Sequence, residues 1–146
     1  MQTIIKFCDG IIDSNYYLEQ TVNHEYGALD VFIGKVRNFN QGREVVGIEY
    51  EIFTALALTT LEELCVKVRN EVTESLDIVI VHRSGYLKVG EISILICVGS
   101  KHRNEAFVAC RYLIEQIKHH VPIWKQEHYI DGKSEWVKGH ALCQHD

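Results

Sequence analysis

Two apolar, β-branched runs, LDIVIVHRSG (residues 76–85) and EISILICVGS (residues 91–100), are joined by the turn-forming GYLKVG. Runs of this kind read as strands, and so short a connection makes them a hairpin-like pair. Further pairs of the same kind alternate with only two long helical patterns. The expected fold is therefore α+β, with a largely antiparallel or mixed sheet.

The remaining segments fill in that frame. SNYYLEQTVN (residues 14–23) reads as a short helix opened by Asp13 or Ser14, and GALDVFIGKVR (residues 27–37) as a strand. NFNQGRE is a turn and VVGIEYEIF (residues 45–53) a strand. Thr54 caps a helix to about Asn70, with Ala57, Leu58, Leu61, Leu64, Cys65 and Val68 on one face. Ser100 opens a second long helix to about His119, which Pro122 helps to stop. IWKQEHY is then a short strand, DGKSE a turn, and a last strand or extended tail follows. With no internal repeat and no linker-like stretch, residues 1–146 are expected to form one domain.

A formal charge of −5 argues against bulk nucleic-acid binding, so any anionic ligand needs a local basic cluster. The N-terminus MQTIIKFCDGIIDSNYY lacks a basic segment followed by a long apolar one, and no run of about 18 apolar residues occurs, which points to a cytoplasmic protein with no membrane segment. The five cysteines are odd in number and widely spaced, with no C-x-x-C pair, and read as free thiols. His119, His120 and His128, or His140, Cys143 and His145 in the tail, lack a complete zinc-site spacing. No glycine-rich nucleotide motif is present, so neither metal nor cofactor is expected.

Three basic features remain. His102 and Arg103 stand in the first helical turn after Ser100, where unpaired N–H groups favour an anion; solvated surface residues are the alternative. On the helical wheel Ala106, Phe107, Cys110, Leu113, Ile114 and Ile117 form an apolar stripe. Lys118 falls about 20° beyond its edge, bordering the core, where it could equally complement the helix dipole. After Pro122, strand alternation puts Ile123, Lys125 and Glu127 on one face and Trp124, Gln126 and His128 on the other. The turn at HHVP can bring Lys125 back beside Lys118, and two neighbouring buried ammonium groups would each favour a neutral amine in the other. Lys35 and Arg37 close the strand that precedes the glycine-containing loop, a position suited either to phosphate or to solvent.

VFIGKVRNFNQG, IEYEIF, VHRSGYLKVGE, VGSKHRNEAFVAC and IKHHVPIWKQE with DGKSEWV occur in the order and approximate spacing of the large, catalytic subunit of molybdopterin synthase. The chain resembles that family from about Tyr26 to Val137. The resemblance implies an α/β hammerhead fold and a homodimer flanked by two small ubiquitin-like sulfur-carrier subunits, a heterotetramer in all. It implies sulfur transfer from the small subunit's C-terminal Gly-Gly thiocarboxylate to cyclic pyranopterin monophosphate, forming the dithiolene of molybdopterin in molybdenum cofactor biosynthesis. It also implies that Lys118 and Lys125 are catalytic. Lys35, Val36, Arg37, His102, Arg103, Gln126 and Glu127 would join them in lining the substrate site. Phe53 and Leu56 are apolar departures from the family pattern, and the tail after Val137 is poor in basic residues.

Arg103 and Lys118 lie 15 residues apart in one helix, roughly 22 Å at 1.5 Å per residue. The expectation is a site shared between protomers, with His102 and Arg103 from one and the lysines from the other. Two rivals stand beside this reading: a noncatalytic module that binds a ubiquitin-like tail, and a Schiff-base lysine enzyme.

Overall fold

The computed structural model describes residues 1–137, so His140, Cys143 and His145 lie outside the described residues. Its strands form two sheets. In the first, the order is β1 (Thr3–Cys8), β5 (Leu76–Arg83), β7 (Ile92–Ser100), β2 (Ala28–Lys35). The expected pair β5 and β7 is antiparallel, β2 runs antiparallel to β7, and β1 runs parallel to β5.

Every residue of β5 is buried, as are all but the first of β7, because both faces of this sheet are covered. On one face Ile78, Ile80, Ile94, Ile96 and Val98 pack under α2 (Thr54–Glu71) and α3 (Arg103–His120). On the other, Val79, Val81, Leu95 and Cys97 pack with Ile12 and with Tyr17 of α1 (Ser14–Leu18). Burial pushes the thiols of Cys65 and Cys97 up to about 11 and that of Cys110 to about 12, which leaves them inert packing groups at neutral pH.

The second sheet has the order β3 (Phe39–Asn40), β4 (Arg43–Ile52), β8 (Ile123–Tyr129), β9 (Ser134–Val137), and β6 (Gly85–Lys88) also pairs with β4. Val36, Val45, Ile48, Leu87 and Tyr129 make its small core. Strand β8 alternates as expected, with Ile123, Lys125, Glu127 and Tyr129 buried and the residues between them half-buried.

Several local expectations are corrected. The segment TIIKFC, where no element is expected, forms the edge strand β1. GYLKVG is more than a turn: its first four residues are β6, which carries the chain from the first sheet to the second. Part of NFNQGRE pairs as the short strand β3. Helix α1 ends at Leu18 rather than near Asn23. Phe53, not Thr54, occupies the N-cap of α2, and no side chain caps that end. Helix α3 begins at Arg103, because Ser100 ends β7 and its hydroxyl donates to the His102 carbonyl oxygen. Leu58 and Phe107 face outward, 40% and 58% exposed. The buried stripe of α3 is turned away from Phe107 toward Ala109, on the other side of Ala106, where a small side chain lets the helix approach the sheet closely.

Candidate functional site

A cavity of about 300 Å³ opens where the last turns of α3 meet both sheets. Helix α3 contributes Ile114, Ile117 and Lys118, and β8 contributes Ile123, Lys125 and Glu127. The chain leaves the helix at Val121, which stands in extended backbone, passes the single proline and enters β8 at Ile123. That compact turn, buried through Val121 and Ile123, delivers both lysines to one hollow. The two amines come from different elements, as the alternation of β8 and the helical wheel of α3 anticipate.

The opposite wall is the end of β2. Between Gly34 and Lys35 the register against β7 shifts. Such an irregularity re-aims the residues that follow, and Lys35 and Arg37, both exposed, line the cavity. Gly34 is required there: a Cβ would stand 2.7 Å from Ile94 Cγ2 and close part of the wall. Val36 lies between them and turns away into the core of the second sheet, 3% exposed.

The electrostatics oppose those of the whole chain. Lys35, Arg37, Lys118 and Lys125 face the cavity against one lining carboxylate, Glu127, in a protein of net charge −5. A concave surface with this excess of cations attracts an anion. Lys125 Nζ lies 3.1 Å from Glu127 Oε1, and both residues are buried. Glu127 also accepts from Asn40 Nδ2 at 2.7 and 3.0 Å and from the Tyr129 hydroxyl at 2.5 Å. Burial alone would raise its carboxyl. The hydrogen bonds from Tyr129 and Asn40 and the Lys125 charge outweigh that, and hold it below the usual range.

The cavity floor is polar in a different way. His82, at the end of β5, is held neutral because burial pushes its imidazole down to about 4. Its Nδ1 donates to the Arg83 carbonyl oxygen at 2.8 Å, which leaves the proton on Nδ1 and a lone pair on Nε2. The Tyr50 ring meets His82 edge to face at 5.1 Å. Desolvation pushes the Tyr50 phenol up to about 12, against the effect of its hydrogen bond with Ser93 and with that of the Glu127 charge. The Ser93 hydroxyl in turn donates to the Gly34 carbonyl oxygen at 3.2 Å.

Sequence reasoning missed Asn40, Tyr50, His82 and Ser93. A histidine closing the unbroken apolar run IVIV was the available signal, since a polar group carried into a buried strand must find a partner. The other three carry no motif and are recruited by packing.

His102 and Arg103 are not in this cavity. Both are exposed at the opposite end of α3, and His102 borders a separate cleft with Val72, Thr73, Ser75, Lys101 and Glu105. Gln126 faces away from the cavity as well, donating to Ser134 Oγ at 2.7 Å. One chain thus gathers Lys35, Arg37, Lys118, Lys125 and Glu127, and leaves His102, Arg103 and Gln126 outside.

The family described as MoaE protein matches residues 9–120. The molybdopterin synthase catalytic subunit of Synechococcus elongatus is 50% identical over 119 residues, spanning 82% of this chain and 72% of the relative. That of Dictyostelium discoideum is 38% identical over 142 residues, spanning 97% and 90%. The crystal structure of molybdopterin synthase from Staphylococcus aureus superposes with a TM-score of 0.84 at 36% identity, covering 90% of this chain and 94% of that one. A chain from the complex of subunits 1 and 2 of molybdopterin-converting factor from Helicobacter pylori superposes with a TM-score of 0.76 at 26% identity, covering 91% and 89%.

Proposed function

The chain belongs to the MoaE protein family, and from that premise we propose that it is the catalytic subunit of a molybdopterin synthase. It transfers sulfur from the C-terminal thiocarboxylate of a small ubiquitin-like subunit to cyclic pyranopterin monophosphate, and two transfers build the dithiolene. The observation that carries this reading is the convergence of Lys118 and Lys125 on one cationic cavity with Glu127 buried beside them.

Each group has a role that follows from its chemistry. A thiocarboxylate and a phosphorylated pterin are both anions, and the cation excess of the cavity draws both to the same place. Arg37 presents a fork suited to phosphate, with Lys35 beside it as a point charge. Lys118 and Lys125 stand at the reacting carbons, where they stabilise the charge that develops on the acyl and sulfur atoms as sulfur displaces an oxygen from the pterin side-chain carbon and water takes the place of sulfur on the acyl carbon, leaving the tail as a carboxylate. Glu127 fixes Lys125 in position.

His102 and Arg103 reach such a site only from a second copy of the chain, because helix α3 separates Arg103 from Lys118 by roughly 22 Å. Homodimeric pairing would let each α3 serve two sites, its amine end one and its cationic N-terminal end the other. Heterodimers made from Lys118→Ala and Arg103→Ala chains should recover a fraction of the activity that either homodimer lacks. No recovery would sink the shared site.

The test of the activity is mass spectrometry of the pterin after this chain is mixed with thiocarboxylated small subunit and cyclic pyranopterin monophosphate. A product carrying two sulfur atoms is expected. A pterin without added sulfur contradicts the proposal.

A further inference from the structure

The carboxylate of Glu127 is held more firmly than a simple ion pair requires. It is 2% exposed, and its two oxygens receive Asn40 twice, Tyr129 once and Lys125 once. Tyr129 does not line the cavity, so it touches substrate only through Glu127.

The donors are placed by one turn. Asn40 pairs across the β3–β4 hairpin with Arg43, leaving a two-residue loop in which Gln41 has φ 50° and Gly42 φ 79°. Positive φ at both loop positions marks the turn type that matches strand twist. A glutamine in the left-handed region is uncommon, and it persists where the surroundings over-determine it. On one side of the turn Asn40 reaches Glu127. On the other, the Arg43 guanidinium stacks 3.4 Å over the Tyr129 ring and pairs with Asp131 at 3.3 Å.

We infer that Asn40 and Tyr129, set in place by the Gln41–Gly42 turn and by Arg43, are positioning residues that keep Glu127 ionised and aimed at Lys125 during sulfur transfer. The inference rests on the function proposed above and adds residues to it. The charged and titratable groups facing this carboxylate are Lys125 and Tyr129 on its own strand and Tyr50 on β4; Lys118, Lys35, Arg37 and neutral His82 face the same cavity. Any change in charge at Lys125 as sulfur moves would alter one neighbour of Glu127, while Asn40 and Tyr129 continue to hold its negative form. Without them, proton uptake by Glu127 would release Lys125 from its position.

The experiment is the pH dependence of single-turnover sulfur transfer by the complete complex, comparing wild type with Tyr129→Phe. This change keeps the ring under Arg43 and deletes only the hydroxyl. Losing one hydrogen bond to a charged group should move the acid limb of the maximal single-turnover rate constant upward by about one pH unit. The pterin concentration that gives half of that rate should stay unchanged. Asn40→Ala, measured in parallel, should move the limb in the same direction and supplies the test if Tyr129→Phe folds poorly. Acid limbs that stay at the wild-type position in the folded variants overturn the inference and leave the proposed function standing. A wild-type complex that forms no sulfurated pterin overturns both.

Discussion

Strands β5 and β8 are similar in length and opposite in design. Strand β5 is buried along its entire length and is apolar up to His82, apart from Asp77 near its start. Strand β8 alternates, and the side chains it buries include a lysine and a glutamate. The first gains stability from covering both faces of a sheet. The second forgoes much of that gain to place charges where water is scarce, and offsets the cost with Lys125, Asn40 and Tyr129 around Glu127. The frame and the chemistry are thus divided between two sheets that meet at the cavity.

Substitutions that exchange the two roles should break this contrast most. Lys125→Ala should lower sulfur transfer on the order of a hundredfold or more while the small subunit still binds, read by single-turnover product formation and by titration calorimetry. Ile80→Ala, in the frame, should do the reverse. It should cost about 2–5 kcal/mol of stability in chemical denaturation and leave the activity of the folded fraction near wild type.

Glu127→Gln should affect both quantities, since it leaves Lys125 buried without its counter-ion. A loss of about 3 kcal/mol in the same denaturation assay is expected, together with lost activity. A stability change near zero would mean that the buried pair is no stronger than a surface one.

The two strands also differ in their response to acid. His82 has a folded pKa of about 4, below the ordinary 6.5, so the unfolded chain binds a proton first. Stability contributed by neutral His82 is present above pH 6.5 and is lost as pH falls toward 4, by up to about 3 kcal/mol. The Glu127 carboxyl is also lowered, so its share is present above its unfolded value near 4.5 and disappears below that, as pH falls through its folded pKa. Denaturation midpoints measured between pH 7 and 4 should therefore fall mainly because of His82. His82→Asn, which keeps a donor near the Arg83 carbonyl oxygen, should flatten that slope.

Much of this organisation is legible in the amino-acid order. The apolar runs of β5 and β7 announce a buried pair, and the phase of β8 places Lys125 and Glu127 together because strand alternation is strict. The helical wheel brings Lys118 to the border of the core. Strand β1 escapes because its six residues alternate poorly and its partner, in parallel register, lies more than seventy residues away. Asn40 reads as a turn residue, and its long-range bond to Glu127 depends on a hairpin whose strand is two residues long. Tyr50 and Ser93 join the cavity floor through the meeting of two sheets, which no local pattern encodes.

The central claim is that the two amines perform chemistry in this cavity rather than merely anchor an anionic tail. Lys118→Arg tests it most directly, because a guanidinium keeps the charge but cannot act as a compact or neutral amine. In single-turnover assays with thiocarboxylated small subunit, the sulfur-transfer account predicts product formation reduced on the order of a hundredfold, with the small subunit still bound. Product formation within about threefold of wild type, less than 1 kcal/mol in barrier height, would contradict it.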